Sequence, residues 1–418
     1  MKFRLFTTLL SPDDALDRSL RATEPIRRTE TISVSTALGR VAAEPVRAPR
    51  PVPPTNRATW DGYAVRAADL RGASAERPAE LRLVGSAYAE DRLVRRLRPG
   101  QTIAVATGAR MPAGANAVVI AEHARVVGSR VRIARPVAPG DRVVRAGEDF
   151  PRGTLLAAQG DVLGAAQLGA IASAGRAGLT VYAQPRVAIV PNGNELVPPG
   201  VRPAPGQIVE SNNVALAAVV RAAGGVPILY PPVPDDPRTI ERVLRRAADR
   251  ADLVLATGGS SVGEHDWLPT VFSRIGRRLF HGIAVRPGKP TLAAVRRGRL
   301  LIGLPGHPTS CLANSFWLVT PVLRRLARLP GPGWSDGTAR WGGPTVAPTP
   351  GFAMVVPIRL VRGRAYSTFR DSSAITSLFG ASAYALLPPR RRPVRPGDRI
   401  PIRHLWPPLG PPVPVANR

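Results

Sequence analysis

The sequence predicts a multidomain α/β protein that also carries small β domains. From Arg186 onward, short apolar runs alternate with helix-forming segments, which is the pattern of a parallel α/β sheet. Forty glycines and 46 prolines divide the flanking regions into short β-rich runs, as in small β domains. The length of 418 residues allows roughly two to four domains of the usual size.

The N-terminal part is predicted to begin with a helix and to continue into a β domain. Ser11-Pro12-Asp13-Asp14 has a capping serine, proline at the first helical position and acids in the first turn. After the proline-rich residues 49–54, β runs such as 102–105 and 117–120 alternate with turns. Residues 151–183 are predicted to return to helix and to pack against the first helix, which would make one discontinuous domain.

The central part of the chain is predicted to alternate strands with helices. We expect strands at 187–190, 226–230, 253–256 and 300–304, and helices at 212–223, 237–251 and 308–326. After Pro330, β runs at 353–360, 383–387 and 399–402 predict a small C-terminal β domain. The predicted domains are a discontinuous linker domain (1–49 and 146–183), a small β domain (50–145), the α/β domain (184–329) and the C-terminal β domain (333–418).

Composition excludes several classes of protein. Cys311 is the single cysteine, so a disulfide framework and a cysteine zinc site are both excluded. No apolar run approaches the length of a membrane span and no signal-peptide pattern follows Met1, so we expect a soluble cytoplasmic protein. The net charge of +29 could reflect nucleic-acid binding, steering of a small anionic substrate, or drift toward arginine. Basic residues are spread along the chain without interleaved aromatics, so nucleic acid is the weaker reading.

Three loops at predicted strand ends carry anion-binding chemistry. They are Asn192–Glu195, Thr257–Asp266 and Leu304–Ser310, and the last leads into a helix. Glycines let backbone N–H groups approach a ligand, and a helix N-terminus adds a positive dipole end. Because ligands of parallel α/β sheets bind at the carboxyl ends of the strands, we expect these loops to meet.

Carboxylates accompany these loops. Glu195, Asp235, Asp236, Glu264 and Asp266 follow strands or lie in the next loop. A carboxylate beside a phosphate site indicates a divalent cation, because two anions otherwise repel, and Mg²⁺ takes one or two carboxylates plus phosphate oxygens. Helix capping is an equal alternative for Asp235 and Asp236.

Lys289 is unusual because the chain has 58 lysines and arginines, of which Lys2 and Lys289 are the two lysines. It lies in the turn Arg286-Pro287-Gly288-Lys289-Pro290. Lysine is a compact point charge and arginine a planar fork, so the two are not interchangeable where an oxyanion is held closely. The alternative is that Lys289 remained by chance while the sequence drifted from lysine toward arginine.

With these residues the chain resembles the molybdopterin molybdenumtransferases, the family that includes the E domain of gephyrin. The motifs that carry the resemblance are Asp61–Val65, Thr107–Ala109, Gly147–Asp149, Asn192–Leu196, Thr257–Asp266, Arg286–Pro290 and Leu304–Pro308. The resemblance implies a three-layer α/β domain of the molybdopterin-binding fold, a C-terminal β-barrel, and an elongated four-domain protomer. It also implies a homodimer whose active site combines the α/β domain of one subunit with the small β domain of the other.

The resemblance further implies a reaction and its participants. Adenylylated molybdopterin and molybdate would be joined with release of AMP, Mg²⁺ would be required, and the molybdopterin adenylyltransferase is a possible partner. The implied catalytic residues are Asp61, Thr107, Asp149, Glu195, Asp266 and Lys289. The implied substrate or oxyanion ligands are Gly258, Gly259, Ser260, Ser261, Gly263, Arg286, Gly288, Pro305, Gly306, His307 and Ser310, with Ser372 or Ser373 near the site. The implied metal ligands are Glu195, Asp235, Asp236 and Asp266.

The chain departs from the family pattern at Trp60, Asn192, Asn194, Arg286 and His307, which bears on the metal count and the oxyanion preference. Tungstate insertion is a close alternative, because tungstate and molybdate are dianions of nearly equal size. A non-catalytic scaffold of the gephyrin type is an alternative of a different class. That role would predict an exposed apolar groove in the C-terminal domain and loss of the site acids, and this chain keeps the acids.

Overall fold

The computed structural model describes residues 8–92, 95–260, 266–347, 349–389 and 392–405. The helices are α1 Pro12–Arg21, α2 Ala165–Ser173, α3 Asn212–Ala222, α4 Pro237–Arg250, α5 Leu268–Ile275, α6 Pro308–Asn314 and α7 Thr320–Leu326. Short 3₁₀ segments are Val34–Thr36, Ala67–Leu70, Ala121–His123 and Ile375–Leu378, and a π-helical segment is Ser315–Val319.

The strands of the first half are β1 Thr29–Ser33, β2 Val46–Arg47, β3 Arg57–Ala58, β4 Gly62–Val65, β5 Ala79–Ala87, β6 Gln101–Val105, β7 Ala117–Ile120, β8 Ala124–Val127, β9 Arg130–Ile133, β10 Val143–Val144, β11 Leu155–Ala157 and β12 Gly178–Tyr182. Those of the second half are β13 Arg186–Pro191, β14 Leu196–Val197, β15 Ile208–Val209, β16 Val226–Leu229, β17 Leu253–Thr257, β18 Arg277–His281, β19 Val285–Arg286, β20 Leu292–Arg296, β21 Arg299–Leu304, β22 Trp334–Trp341, β23 Ala353–Val361, β24 Arg364–Ser367, β25 Ala383–Leu387 and β26 Arg399–Leu405.

The chain forms two compact units. The inserted unit is residues 31–181, and the α/β unit combines residues 1–30 with residues 182–418. Helix α1 belongs to the α/β unit because Ala15 and Ile26 are buried in its core beside strand residues such as Val187. The finer division into four domains stays a prediction.

The inserted unit contains a sheet that, within the described residues, has the strand order β7-β4-β6-β5-β9-β8. Val65, Leu81, Val131 and Ile133 are among the buried side chains on one of its faces. The β runs predicted at 102–105 and 117–120 are confirmed as β6 and β7. The predicted return to helix over 151–183 is confirmed at α2 alone, because β11 and β12 flank that helix.

The main sheet of the α/β unit is mixed rather than parallel throughout. Its order over the described residues is β16-β13-β17-β21-β20-β18. The first four strands are parallel, and the predictions of β13, β16, β17 and β21 are confirmed. Strands β20 and β18 are antiparallel, because β20 and β21 are joined by the two-residue turn Arg297-Gly298, which permits only a hairpin. Apolar clusters cover both faces of the sheet, as a buried sheet requires.

The predicted helix over 308–326 is interrupted. Residues Ser315–Val319 are π-helical between α6 and α7, and Thr320 donates its backbone N–H to the Ser315 carbonyl. Pro321 follows directly. Proline has no N–H and its ring collides with the carbonyl four residues earlier, so a regular helix cannot pass through this position.

A buried carboxylate ties the strand starts of the main sheet together. Asp252 accepts hydrogen bonds from the Arg28 guanidinium at 2.8 Å, from Arg299 at 2.7 Å and from the Arg186 backbone N–H at 2.8 Å. Burial alone raises the pKa of Asp252, but these hydrogen bonds and the two arginine charges outweigh it and lower the pKa.

The C-terminal region forms the predicted β domain. Its sheet has the order β19-β23-β24-β22-β26-β25 in the residues that the structure describes, and β25 also pairs with β23. That second pairing closes the strands from β22 to β26 into a small barrel. No described helix is both long and apolar enough to cross a membrane.

Candidate active site at the strand ends of the main sheet

Three loops of the α/β unit leave neighbouring strands at the same edge. Pro191 at the end of β13 pairs with Thr257 at the end of β17, and Thr257 pairs with Leu304 at the end of β21. The three chemistry-bearing loops begin at these residues. The prediction that they meet at the carboxyl edge of the sheet is therefore confirmed.

Close backbone contacts hold the loops together and require glycine. The Asn192 side-chain amide donates to the Thr257 carbonyl at 3.2 Å. Gly258 has a φ of +80°, and a Cβ there would collide with the Asn192 carbonyl. A Cβ at Gly306 would lie 3.4 Å from the Gly258 Cα. The glycines therefore allow three chains to pack with their N–H groups near the edge.

Ser260 and Asp266 flank a histidine. Ser260 is buried, and its hydroxyl donates to the Leu304 carbonyl at 3.3 Å, so this side chain ties two loops together. His281 Nε2 lies 3.2 Å from the Ser260 carbonyl oxygen. Burial lowers the pKa of His281, and the opposing influences of the Ser260 carbonyl and the Asp266 charge do not outweigh it. Ser261 and Gly263 of the predicted site lie outside the described residues.

The predicted acids adopt three different arrangements. Asp235 accepts from the Asn194 backbone N–H at 3.1 Å, and Asn194 Oδ1 accepts from the Asp235 N–H at 3.0 Å. The exposed Glu195 carboxylate folds over Gly193, where a Cβ would lie 2.6 Å from Glu195 Oε2. Asp236 is the N-cap of α4 and accepts from the Thr239 N–H at 2.7 Å, so the capping alternative describes this residue. A metal role for Asp236 stays a prediction.

These acids do not make up a metal site by themselves within the described part of the chain. Among the described residues, no group of three histidine, cysteine, aspartate or glutamate side chains could hold a metal ion alone. Asp235 lies against the loop that bears Glu195, and both offer carboxylate oxygens. Mg²⁺ commonly takes one or two carboxylates and completes its shell with water and substrate phosphates. The donor set therefore fits Mg²⁺ held together with a phosphorylated substrate.

The lysine turn is rigid. Gly288 has a φ of +114°, and a Cβ there would collide with the Asn314 amide. The buried Asn314 side chain donates to the Gly288 carbonyl at 3.0 Å and to the Thr291 hydroxyl at 2.6 Å. The Ile283 N–H donates to the Lys289 carbonyl at 2.9 Å. Arg286 is exposed, and its guanidinium lies 4.9 Å from the centre of the Phe352 ring.

The third loop leads into α6. Pro305 and Ser310 are buried, whereas Gly306 and His307 are exposed. Asn212 donates its amide to the Gly306 carbonyl at 2.8 Å. His307 precedes α6 without a side-chain capping bond, and its Nδ1 lies 3.0 Å from the Ser372 hydroxyl. Of the two serines considered, Ser372 is thus the one that contacts this loop.

Several supporting residues escaped the sequence reasoning. His281 lies on β18 and reaches the loops only through the folded sheet, so no local signal marks it. Asn212 opens α3 and meets Gly306 across a large sequence separation. Asn314 could have been noticed, because it is a polar side chain within an apolar helical stretch.

The inserted unit carries a separate cluster. The Asp61 carboxylate accepts a hydrogen bond from the Thr107 backbone N–H at 2.6 Å. Bonds from the Thr107 N–H and hydroxyl lower the pKa of Asp61. Asp149 lies in another turn of this unit, where its backbone N–H donates to the Val52 carbonyl at 3.1 Å. The catalytic roles of these three residues stay predictions.

Comparisons with known proteins cover almost the whole chain. Residues 10–175 match the MoeA N-terminal region (domain I and II), residues 188–325 match a probable molybdopterin binding domain, and residues 345–405 match the MoeA C-terminal region (domain IV). A molybdopterin molybdenumtransferase of Nostoc sp. is 36% identical over 310 residues, covering 73% of this chain and 71% of the relative. The enzyme of the same name from Bacillus subtilis is 29% identical over 384 residues, covering 90% of this chain and 89% of the relative.

A solved structure agrees with these matches. The molybdopterin biosynthesis moea protein of Pyrococcus horikosii superposes with a TM-score of 0.82 at 32% identity, covering 95% of this chain and 99% of that chain. The sequence identities, the matched regions and the fold all indicate the same protein family over nearly the full length of this chain. The chain therefore belongs to the molybdopterin molybdenumtransferase family, a family of transferase enzymes.

Proposed function

We propose that the protein inserts molybdenum from molybdate into adenylylated molybdopterin, with release of AMP. The observation that carries this proposal is the lysine turn beside three loops that meet at one sheet edge. The turn carries Lys289, and the loops carry glycines whose N–H groups could bind an anion before the start of α6. This combination suits a substrate that brings both a phosphoanhydride and an oxyanion.

The chemistry required of the protein is positioning and charge neutralisation. Cleavage of a phosphoanhydride places negative charge on phosphoryl oxygens, and fixed donors stabilise that charge without reorganising. Lys289 and the glycine N–H groups are the donors that we assign to this task. The dithiolene sulfurs that receive molybdenum belong to the substrate. Cys311 is buried, and burial raises the pKa of its thiol, so it is not a candidate for that role.

We assign Mg²⁺ binding to Glu195 and Asp235, with Asp266 positioning the phosphoanhydride or completing the shell. When bound, the ion would neutralise charge on phosphate oxygens. The reciprocal hydrogen bonds between Asn194 and Asp235 would keep the two acidic loops in register. Asn194 adds no carboxylate to the site, so phosphate oxygens of the substrate would have to supply most of the Mg²⁺ ligands.

We also propose that the enzyme works as a cytoplasmic homodimer. Asp61, Thr107 and Asp149 would then act together with the strand-end residues of the partner subunit, as the family resemblance suggests. The molybdopterin adenylyltransferase would supply the adenylylated substrate.

Asp266→Asn tests the assignment. The variant removes a charge beside His281 while keeping the shape of the side chain, so we expect AMP release to fall about 100-fold or more. The assay mixes protein, adenylylated molybdopterin, Mg²⁺ and molybdate, and follows AMP. Asp17→Asn on α1 is the control, because Asp17 forms an exposed ion pair with Arg21 and has no role in the proposed reaction. Turnover by Asp266→Asn equal to that of the control would remove Asp266 from the site. Replacing molybdate with tungstate in the same assay identifies the preferred oxyanion.

A further inference from the structure

One edge of the sheet in the inserted unit brings together residues that are far apart in the sequence. Gly62 on β4 pairs with Val105 on β6, and Val105 pairs with Ala87 on β5. Asp61 directly precedes Gly62, and Tyr88 directly follows Ala87. Because neighbouring strands lie about 4.8 Å apart, these two residues are about 10 Å apart along the edge.

Exposed aromatic rings are concentrated at this edge. Trp60 is 50% exposed and Tyr88 is 53% exposed. The other aromatic residues of this unit are Tyr63, which is half-buried, and Phe150, which is buried. Trp and Tyr rings are side chains on which planar ligands stack, and here two of them are exposed at one sheet edge.

The plane of Trp60 is backed by a cation. The Arg142 guanidinium lies 5.4 Å from the centre of the Trp60 ring. The Arg142 backbone accepts the Thr59 N–H at 3.0 Å and adopts a φ of +58°, which is unfavourable for a side chain of this size. Strained residues persist where the surrounding structure over-determines them, often at ligand sites. Half of the tryptophan surface remains open to a second ring.

Asp61 supplies the polar half of this edge. Thr107 hydrogen bonds keep its carboxylate ionised, so it can accept hydrogen bonds but cannot donate them. Its ideal counterpart has two adjacent N–H donors. The aminopyrimidinone ring of a pterin has that edge, with a ring N–H next to an amino group. Adenine presents a donor beside an acceptor instead, which an amide matches better than a carboxylate.

We propose that Trp60, Tyr88 and Asp61 form a subsite for the aminopyrimidinone ring of the substrate, with the ring stacked on the aromatics and its donor edge on Asp61. This inference rests on the proposed function, because it gives the inserted unit the task of recognising the pterin end of the substrate. It assigns two residues, Trp60 and Tyr88, that the family resemblance did not name as ligands.

The test is equilibrium binding of free pterin and of adenine to the full chain, followed by calorimetry and by quenching of pterin fluorescence. We expect Trp60→Ala to weaken pterin binding about ten- to a hundred-fold, since stacking on one aromatic contributes that much. Tyr88→Ala should weaken it less than Trp60→Ala. Asp61→Asn should reduce the preference for pterin over adenine, because an amide pairs with the adenine edge.

Matched controls separate this subsite from general effects. Phe379→Ala removes an aromatic of similar exposure, 46%, in the other unit. Asp69→Asn removes a carboxylate that likewise accepts a backbone N–H, from Gly100 at 2.9 Å. Both controls should bind pterin as the wild type does. Equal pterin affinity of Trp60→Ala and wild type would overturn the subsite, as would an altered oligomeric state of Trp60→Ala in sedimentation with unchanged affinity.

Binding of free pterin involves no AMP release, so the two proposals fail separately. Pterin binding that depends on Trp60, without oxyanion-dependent AMP release, would support the subsite and contradict the transfer reaction. AMP release without any pterin binding that depends on Trp60 would do the reverse.

Discussion

At the scale of single residues, the lysine turn shows why one basic side chain differs from its neighbour. Lys289 is half-buried and follows Gly288, whose backbone is pressed against the buried Asn314 amide. Arg286 lies three residues earlier, exposed and stacked on Phe352. Lys289 therefore follows a crowded backbone position and is partly shielded from solvent, whereas Arg286 is exposed.

This contrast predicts unequal effects of exchanging the two basic side chains. Lys289→Arg should lower the rate of AMP release about 100-fold, because a planar fork cannot replace a point charge in a confined turn. Arg286→Lys should lower it only a few-fold. Thermal unfolding midpoints of both variants should match that of the wild type. Equal losses of rate would mean that Lys289 has no special role.

Residue types and their order in the chain predicted which loops meet at the carboxyl edge of the main sheet. Glycines after strands, carboxylates beside them and the isolated lysine all carried local signals. Asn314 and His281 contact the site only through the folded sheet and helices, so their roles depend on distant parts of the chain. The position of Asp236 in the sequence was consistent with both helix capping and metal binding. The hydrogen bond that its carboxylate accepts from the Thr239 N–H fits helix capping.

At the scale of elements, two hairpins contain arginine where glycine or asparagine is usual. Arg297-Gly298 joins β20 to β21, and Arg362-Gly363 joins β23 to β24. In both turns the arginine has a φ of +47° and the glycine a φ of +76°. These values are those of a type I′ turn, whose first position favours asparagine.

Relief of this strain should stabilise the protein. Arg297→Asn and Arg362→Asn should each raise the free energy of unfolding by about 0.5–1 kcal/mol, because asparagine tolerates the left-handed conformation better. Denaturant unfolding midpoints measure the effect. Arg359→Asn within β23 is the control and should be neutral or destabilising, since asparagine disfavours strands. Stabilisation by the control alone would refute the turn assignment.

The first of these hairpins also explains which strands of the main sheet were not predicted from the sequence. Strands with continuous apolar runs, such as β13 and β17, were recognisable from local pattern. Arginine in a two-residue turn is not a usual hairpin signal, so β20 and β18, two of the six described strands of the main sheet, were not predicted. The π-helical segment was missed because the apolar pattern continues across Pro321.

The Asp252 cluster joins three strand starts and predicts a dependence of stability on pH. The pKa of Asp252 is lowered from its ordinary value of 3.8, so its contribution is present above that pH and is lost as pH falls below it. Asp252→Asn should lower the free energy of unfolding by about 2 kcal/mol at pH 7. The loss is limited because Arg28 and Arg299 are partly exposed and can hydrogen-bond to water in the variant.

Denaturant unfolding at pH 7 and at pH 3 checks this prediction. The difference in stability between wild type and Asp252→Asn should shrink at the lower pH, because the carboxylate of the unfolded chain, with its ordinary pKa of 3.8, takes up protons there. Asp249→Asn is the control, because Asp249 is 53% exposed and its arginine partners lie 3.7 and 3.9 Å away. A difference that grows at pH 3 would contradict the assigned sign.

At the scale of the whole molecule, the proposed function gives each of the two compact units its own task. The α/β unit carries the anion loops, the acids and Lys289, and the inserted unit carries the edge with Trp60 and Asp61. The alternation of strands and helices predicted the first architecture, and the family motifs predicted that both units serve one reaction. The proposed cooperation between the units cannot be predicted from local sequence pattern, because it would depend on the proposed homodimer.

The most direct test of the account is a single-turnover assay with excess wild-type protein over adenylylated molybdopterin in the presence of Mg²⁺. The account predicts that AMP forms quickly when molybdate is added, in about equal amount to the substrate, and slowly or not at all without an oxyanion. AMP formation at the same rate with and without molybdate, or no AMP under either condition, would contradict it.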